Sequence, residues 1–175
     1  MDSATVLALA VQKLGRNKVA AITVDYGQRH RIEIEAAKKL AKHYQVDHQV
    51  IDLSSLKQVM LGSSQTDASV PVPHGHYADE TMKATVVPNR NMILLSVAAA
   101  AAISRGWTMI YYGAHAGDHA IYPDCRPIFI DKMGEALKFC HYFEIDLIAP
   151  FSGYSKGGIV HDGAAMKVPY ELTYS

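Results

Sequence analysis

The sequence predicts an α/β fold, a doubly wound parallel sheet with helices on both faces. Apolar runs typical of buried strands alternate along the chain with segments of helical periodicity. The strand-like runs are rich in β-branched residues, as in parallel strands covered on both faces. Polar, glycine-containing segments directly follow two of these runs, at what would be the carboxyl edge of the sheet, where ligands bind.

The individual elements follow in chain order. Ser3 to Leu14 has helical spacing, with Asp2 or Ser3 placed to cap the helix and Gly15 to end it. Val19 to Val24 predicts a strand buried on both faces and therefore paired in parallel. Further helices are predicted over residues 31–44, 91–104, 128–140 and 156–166, and further strands over residues 46–53, 108–112 and 146–148.

Size and composition indicate one globular domain. The chain has 175 residues, 49% of them apolar and 19% charged. Its 17 basic and 17 acidic side chains cancel, which disfavours sequence-independent binding to nucleic acid or anionic lipid. The longest apolar stretch, Met92 to Ile103, is shorter than a membrane span, and Asp2 stands where an export signal would be basic. Cys125 and Cys140 lack CxxC spacing, which argues against a disulfide framework or a structural zinc site and indicates a reducing, cytoplasmic context. The balanced charge leaves recognition of a small polar ligand open.

A long polar segment over residues 61–88 shows little periodicity, which is typical of a functional loop. We predict a lid or substrate loop there. His74 and His76 in this loop, and His115 with His119 further on, have the close spacing of zinc ligands. No metal is predicted at either place, because a third protein ligand and fixed geometry are missing.

The most informative segment, residues 113–127, follows the predicted strand over 108–112; we call it the cassette. It reads Gly-Ala-His-Ala-Gly-Asp-His and, three residues later, Tyr-Pro-Asp-Cys-Arg-Pro. An aromatic ring, a carboxylate and a guanidinium suit a purine-like heterocycle. Cys125 is a weak candidate nucleophile, since no base is fixed beside it and most free cysteines are buried and inert.

Three further segments are candidate ligand sites. Residues 1–5 begin a helix, where free N–H groups favour phosphate, although composition alone favours a plain N-cap. Residues 25–30, Asp-Tyr-Gly-Gln-Arg-His, end a strand and suit either a nucleotide or an ordinary polar loop. Arg90 can meet a carboxylate or phosphate, or stay a surface residue, and Asn91 can cap the next helix or read an amide edge.

Taken in order, these segments resemble the 7-cyano-7-deazaguanine synthase family, ATP-dependent enzymes of queuosine and deazaguanine biosynthesis in the PP-loop ATP pyrophosphatase group. Residues 1–3 match the tail of SGGMDS, residues 25–30 match DYGQRH, residues 87–91 match VPNRN, and the cassette matches GAHAxD with YPDCRP. Weaker matches lie at residues 155–160 and 168–173. The resemblance therefore covers essentially the whole chain.

The resemblance implies an adenine nucleotide alpha hydrolase-like, Rossmann-like fold and a carbon-nitrogen ligase that uses ATP with Mg²⁺. Its reaction would convert 7-carboxy-7-deazaguanine and ammonia to the nitrile. ATP would contact Met1, Asp2, Ser3, Ala4, Thr5, Asp25, Tyr26, Gln28, Arg29 and His30. The deazaguanine would contact Arg90, Asn91, His115, Asp118, Tyr122, Asp124 and Arg126. Catalytic roles are implied for Arg90, Asp118, Arg126 and Lys156, with Arg90 or Arg126 meeting the carboxylate and Lys156 steadying phosphate charge.

The chain departs from the family pattern at both ends. It begins at the Met of SGGMDS, without the two glycines and the first central strand, and it stops before the four cysteines that bind zinc in the family. In a strand order like 3-2-1-4-5, the strands at Val19 and Thr108 would then share no neighbour. We therefore expect one truncated domain over residues 1–175, with marginal stability and impaired activity.

Two alternatives remain open. The chain could be another PP-loop enzyme that modifies tRNA or forms an amide, although the VPNRN and YPDCRP matches argue against it. It could also be a non-catalytic nucleotide-binding remnant. The sequence leaves open whether the product serves tRNA or DNA, which ammonia source is used, and whether chains form a homodimer.

Overall fold

The computed structural model describes residues 1–29, 31–67, 69–71 and 80–174 of the chain. Within these ranges five α-helices alternate with four strands. The helices are α1 (Asp2–Leu14), α2 (Ile32–Tyr44), α3 (Arg90–Ser104), α4 (Pro127–Leu137) and α5 (Lys156–Ala165), and the strands are β1 (Ala20–Asp25), β2 (Asp47–Asp52), β3 (Met109–Tyr111) and β4 (Asp146–Ile148). Every predicted helix and strand is present, with bounds that differ by three residues or fewer from the predicted ones.

The strands form two separate parallel pairs. β1 pairs with β2 in a register that sets Ala20 opposite Asp47, and β3 pairs with β4 with Met109 opposite Asp146. Among the described residues no backbone pairing links β1 to β3. The predicted parallel pairing is confirmed, and these two strands lack a shared neighbour, as expected from the family's strand order.

Helices cover both faces of the strands, as predicted. Successive strand residues point to opposite faces, so neighbouring positions show which helices lie where. Ala21 of β1 and Tyr111 of β3 pack in clusters with α1, whereas Ile22 and Ile110 pack in clusters with α3. α2 and α5 join the α1 side, and α4 joins the α3 side. The arrangement is therefore doubly wound around an interrupted sheet.

An inter-strand cleft of about 500 Å³ separates β1 from β3. Its walls are largely apolar, with Ala10 and Leu14 from α1 and Ala98 and Ala102 from α3. Because one edge of β1 opens into this cleft, residues 20–23 are only half-buried, and burial is complete only at the last two strand positions. The prediction that this strand is buried along its length on both faces is therefore wrong.

Two helix starts differ from the prediction. Met1 is the N-cap of α1, and no side chain caps that helix. The predicted cap, Asp2 or Ser3, is wrong, because both residues already lie in the first turn, where the charge of Asp2 is favourable to the helix dipole. Asn91 does not cap α3 either, because Asn89 precedes that helix in a left-handed conformation with φ 56°.

The loop predicted over residues 61–88 is described only in part. A 3-10 helix spans Glu80–Thr85, and the Ser64 N–H donates to the Ala84 carbonyl at 2.8 Å. His74 and His76 lie outside the described residues. A lid at this position stays a prediction.

One apolar span, Met82–Ser104, is long enough at 23 residues to cross a membrane by length and composition alone. Core helices of soluble proteins pass the same test. In this chain the α3 part of the span packs into a core cluster through Leu95, Ala99 and Ala102. The span is therefore weak evidence for membrane insertion.

Candidate active site

A second cavity, of about 570 Å³, runs along β1 beside the inter-strand cleft and reaches the loops at the carboxyl ends of β1 and β3. Loops that follow parallel strands meet at this edge of a sheet, so parts of the chain that are distant in sequence converge here. Eight residues predicted as ligand contacts line the cavity: Met1, Ser3, Ala4, Tyr26, Gln28, Arg90, Asn91 and Asp118. This convergence makes the cavity the candidate active site.

The first turn of α1 forms one wall of the cavity. Gly113, directly after β3, approaches this turn so closely that a β-carbon there would lie 3.3 Å from the backbone nitrogen and the hydroxyl of Ser3. N–H groups in a first helical turn lack intrahelical acceptors, and the helix dipole adds positive potential. This wall therefore fits a phosphate group.

Thr5 anchors the start of α1 instead of facing the cavity. Its side chain is fully buried. The Thr5 hydroxyl donates to the Met1 carbonyl at 3.2 Å and lies 2.8 Å from the Tyr170 hydroxyl. Tyr170 in turn donates to the Ile159 carbonyl at 3.2 Å. These contacts fix the helix start to α5 and to the segment that follows it.

Asp25 shapes the turn that follows β1. One carboxylate oxygen accepts the Gly27 N–H at 3.0 Å, and the other accepts a hydrogen bond from the Arg31 guanidinium at 2.7 Å. Gly27 has φ 84°, a left-handed conformation that favours glycine. The sequence reasoning missed Arg31, although its charge two residues after the Asp-Tyr-Gly-Gln-Arg motif was a usable signal.

The same turn places Tyr26 and Gln28 in the cavity wall. Gln28 is buried, and its side-chain oxygen accepts the Tyr26 N–H at 3.0 Å. Arg29 points elsewhere, donating to the Ser64 carbonyl at 3.3 Å. His30 lies outside the described residues.

Arg90 is the principal positive charge in the lining of the cavity. Burial alone would lower the pKa of Arg90, but Tyr26, Asp124 and Cys125 raise it, and the net direction is upward. Its guanidinium carbon lies 5.9 Å from the centroid of the Tyr122 ring, within cation–π range. A permanently charged guanidinium in this position fits an anionic ligand.

Asp124 and Asn91 fasten the cassette to the start of α3. The Asp124 carboxylate accepts the Asn91 N–H at 3.0 Å. The Asn91 amide donates to the Asp124 carbonyl at 3.4 Å and to the Cys125 sulfur at 3.3 Å. The Tyr112 hydroxyl donates to the same Asp124 carbonyl at 3.1 Å. The sequence reasoning missed Tyr112, whose position at the strand end beside the cassette was the available signal.

Cys125 is enclosed by these contacts and is buried. Burial raises the pKa of its thiol to about 11, against a smaller opposing effect of the Tyr112 hydrogen bond. The thiol therefore stays protonated at neutral pH, which suits a packing role better than a nucleophilic one.

His115 links the cassette to α1. It is 1% exposed, and its Nδ1 accepts the Gly117 N–H at 3.0 Å. On the other side of the ring, Nε2 lies 3.3 Å from an Asp118 carboxylate oxygen and 3.7 Å from one of Asp2. The other Asp2 oxygen, Oδ1, is buried and has no hydrogen-bond partner among the described residues.

Tyr122, Arg126 and Lys156 are not in the lining of the cavity. The Tyr122 hydroxyl lies 2.8 Å from that of Thr85. Arg126 is exposed, and its Nε donates to the His119 carbonyl at 2.9 Å. Lys156 is exposed at the start of α5. Burial lowers the pKa of the Met1 amino group and Lys156 lowers it further, which places Lys156 near the start of α1.

No group of three or more His, Cys, Asp or Glu side chains suited to hold a metal ion occurs among the described residues. The histidines at 74 and 76 are outside the described part of the chain.

Comparison with known proteins gives consistent matches over the full length. The family model described as "Queuosine biosynthesis protein QueC" matches residues 1–175. A 7-cyano-7-deazaguanine synthase of Psychromonas ingrahamii is 50% identical over 175 residues, which are 100% of this chain and 78% of that protein. 7-cyano-7-deazaguanine synthase 1 of Colwellia psychrerythraea is 49% identical, over 100% of this chain and 79% of its own length.

Two solved structures share the fold at low sequence identity. The U34-tRNA thiolase NcsA from Methanococcus maripaludis, with its [4Fe-4S] cluster, has a TM-score of 0.58 and 13% identity, over 99% of this chain and 55% of that one. NMN synthetase from Francisella tularensis has a TM-score of 0.53 and 16% identity, over 98% of this chain and 59% of that one. At this identity the likeness supports the predicted fold class and nothing finer.

Proposed function

The chain belongs to the family of the queuosine biosynthesis protein QueC, and from that premise we propose that it converts 7-carboxy-7-deazaguanine and ammonia to 7-cyano-7-deazaguanine at the expense of ATP. The observation that carries the proposal is the identity of up to 50% with 7-cyano-7-deazaguanine synthases along the whole chain. The cavity supports it, because a helix start that fits phosphate and a guanidinium that fits a carboxylate share one space.

The chemistry requires the carboxylate to be activated. A carboxylate oxygen is a poor leaving group, so transfer of AMP from ATP to that oxygen, with release of pyrophosphate, prepares it to leave. Ammonia then attacks the carbonyl carbon, AMP departs with the oxygen, and an amide remains. Loss of the amide oxygen as water turns the amide into the nitrile; where that oxygen leaves on a phosphate instead, a second ATP is consumed. Positioning and charge stabilisation are the protein's main contributions to such steps.

Residue roles follow from the lining of the cavity. In this proposal the first turn of α1 and Ser3 receive phosphate, and Tyr26 and Gln28 lie along the nucleotide. Arg90 meets the substrate carboxylate, supported by its cation–π contact with Tyr122. Arg126 is the weaker candidate for that contact, because its guanidinium is exposed and donates to a backbone carbonyl.

ATP carries Mg²⁺ in solution, and the site has a residue that fits this cation. Asp2 presents a buried carboxylate oxygen without a hydrogen-bond partner among the described residues, and it stands in the helix turn proposed for phosphate. Bound there, Mg²⁺ would neutralise phosphate charge. Lys156, near the same turn, would add a second positive charge.

The direct test is incubation of the purified chain with 7-carboxy-7-deazaguanine, ammonium and Mg-ATP, followed by mass spectrometry. The expected products are the nitrile, AMP and pyrophosphate. Slow ATP-dependent nitrile formation would agree with the impaired activity expected from the sequence, whereas nitrile formed at the same rate without ATP would contradict the proposal.

Arg90→Gln is expected to lower kcat/KM for the carboxylate substrate by about a hundredfold or more, because the charge-assisted contact with the substrate is lost. Arg105→Gln at the other end of α3 is the matched control. Arg105 pairs with Asp47 at 2.8 Å, away from the cavity, so its loss should leave turnover near the wild-type value. Equal turnover in wild type and Arg90→Gln would refute the assignment.

A further inference from the structure

We propose that His115 is a positioning residue that holds two carboxylates, that of Asp118 in the lining of the active-site cavity and that of Asp2 between the lining residues Met1 and Ser3, without touching the substrate itself. The inference rests on the proposed function only for the identity of the ligands that bind in the cavity. It deepens that proposal by giving His115 an indirect role in place of a direct contact with the deazaguanine.

Burial and hydrogen bonding set the orientation of the ring. With 1% of its surface exposed, His115 has no face open to a ligand. Its Nδ1 accepts the Gly117 N–H at 3.0 Å, so the proton of the neutral ring lies on Nε2. Nε2 lies 3.3 Å from a carboxylate oxygen of Asp118 and 3.7 Å from one of Asp2.

The two carboxylates come from different elements. Asp2 lies in the first turn of α1, and Asp118 lies in a short 3-10 turn, Ala116–Asp118, after β3. Their side chains remain 25% and 18% exposed, and Asp118 lines the cavity, so both are accessible to a degree that His115 is not. The two carboxylates repel each other because they carry like charges. A hydrogen-bond donor at Nε2 of His115, close to both, would favour one fixed arrangement of the two side chains.

Gly117 provides the space that the ring requires. A β-carbon on Gly117 would lie 2.9 Å from Cε1 and 3.1 Å from Nδ1 of His115. The φ angle of Gly117 is not in the left-handed region, so its backbone would accept alanine. Gly117→Ala therefore displaces the ring while keeping the imidazole, which gives a second way to disturb the same contact.

Two substitutions distinguish the contact made by Nδ1 of His115 from the contacts made by Nε2. In His115→Asn the side-chain oxygen can still accept the Gly117 N–H, but nothing reaches the carboxylates. In His115→Gln the longer amide can still donate to the carboxylates, but the acceptor for Gly117 is lost. A residue that only shapes the loop should tolerate Asn better, whereas a residue that positions the carboxylates should tolerate Gln better.

The experiment compares wild type, His115→Asn, His115→Gln, Gly117→Ala and the control Gly153→Ala, in which the new β-carbon has no atom within 4 Å. Thermal unfolding reports on the fold, calorimetry on Mg-ATP binding, and steady-state kinetics on kcat and KM. We expect His115→Asn and Gly117→Ala to weaken Mg-ATP binding by about tenfold or more, the loss typical of a removed charge-assisted hydrogen bond. His115→Gln and Gly153→Ala should stay within about threefold of wild type.

The reverse order, Asn better than Gln, would overturn the inference, as would equal ATP affinity in all variants. A wild-type chain that binds Mg-ATP but forms no nitrile would refute the proposed function alone, because the order of affinities still decides the role of His115. Long-range proton–nitrogen correlation spectra add a readout independent of turnover. They should show His115 protonated on Nε2, with that nitrogen shifted by Asp118→Asn; protonation on Nδ1 would contradict the geometry.

Discussion

The two cysteines of this protein differ in their surroundings, and we expect their thiols to differ in reactivity for that reason. Cys125 is surrounded by the Asn91 amide and the Tyr112 hydroxyl, and burial raises the pKa of its thiol to about 11. Cys140 is exposed. The two thiols therefore differ in access and, for Cys125, in the fraction of thiolate at a given pH.

Iodoacetamide under native conditions at pH 8 should modify Cys140 and leave Cys125 unmodified, with both modified after denaturation. Peptide mass spectrometry measures this. Because the folded-state pKa of Cys125 is raised from 9.0 to about 11, its contribution to stability is complete below pH 9 and is lost as the pH rises toward 11. Rapid native alkylation of Cys125 would contradict the enclosed thiol.

Sequence patterns indicate residue types but not their partners. The family resemblance implies His115 and Asp118 as site residues, yet the contact between His115 and Asp2 joins positions that no spacing rule relates. Likewise, Thr5 is predicted beside ATP, but its hydroxyl is engaged with Tyr170. Such pairings depend on tertiary packing, which a single sequence does not reveal.

At the scale of elements, the start of α3 is stabilised from outside its own sequence. No side chain of the preceding residues caps it. The carboxylate of Asp124, from the cassette, instead accepts the Asn91 N–H in its first turn. This contact couples the cassette to the helix that carries Arg90, so the geometry of the cavity depends on it.

Asp124→Ala should lower the free energy of unfolding by about 1 kcal/mol, the usual cost of a lost helix cap. Asp124→Asn should lose less, because its amide oxygen can still accept the N–H. Urea unfolding followed by circular dichroism measures both. Asp131→Ala serves as control, since Asp131 is an exposed ion-pair partner of Lys132 and such pairs contribute little. Unchanged stability in Asp124→Ala would exclude the capping role.

Helix and strand positions were predictable because periodicity reports which face of an element is buried. The span predicted as residues 146–148 is matched by β4, and α1 ends before Gly15 as expected. Capping was predicted less well. Asp2, Ser3 and Asn91 have the right side chains for a cap, but whether one lies before or inside a first turn depends on the dihedral angles of its neighbours.

At the scale of the whole molecule, two halves, each with one strand pair, are joined mainly by helices. α1 packs beside strands of both halves, and α3 lies along the opposite side of the inter-strand cleft. In a parallel strand alternate residues direct their N–H groups to opposite sides. Alternate amides of β1 therefore face the cleft and not a partner strand.

Residue-resolved hydrogen exchange should show this alternation. Along residues 20–25, amides bonded to β2 should exchange slowly and the intervening ones rapidly, because the latter have no strand partner among the described residues. Central amides of α2 provide the control for uniform protection, since each of them donates a hydrogen bond to a carbonyl of the same helix. Uniformly slow exchange along β1 would show that the edge is paired in solution.

The chain has one tryptophan, Trp107, and it lies in the wall of the inter-strand cleft, with the Arg105 guanidinium 5.7 Å from its ring centroid. Indole emission depends on the polarity around the ring. The molecule therefore carries a natural fluorescent probe at the junction of its two halves. The wavelength of maximum emission from Trp107 reports whether water or an apolar segment fills the space between them.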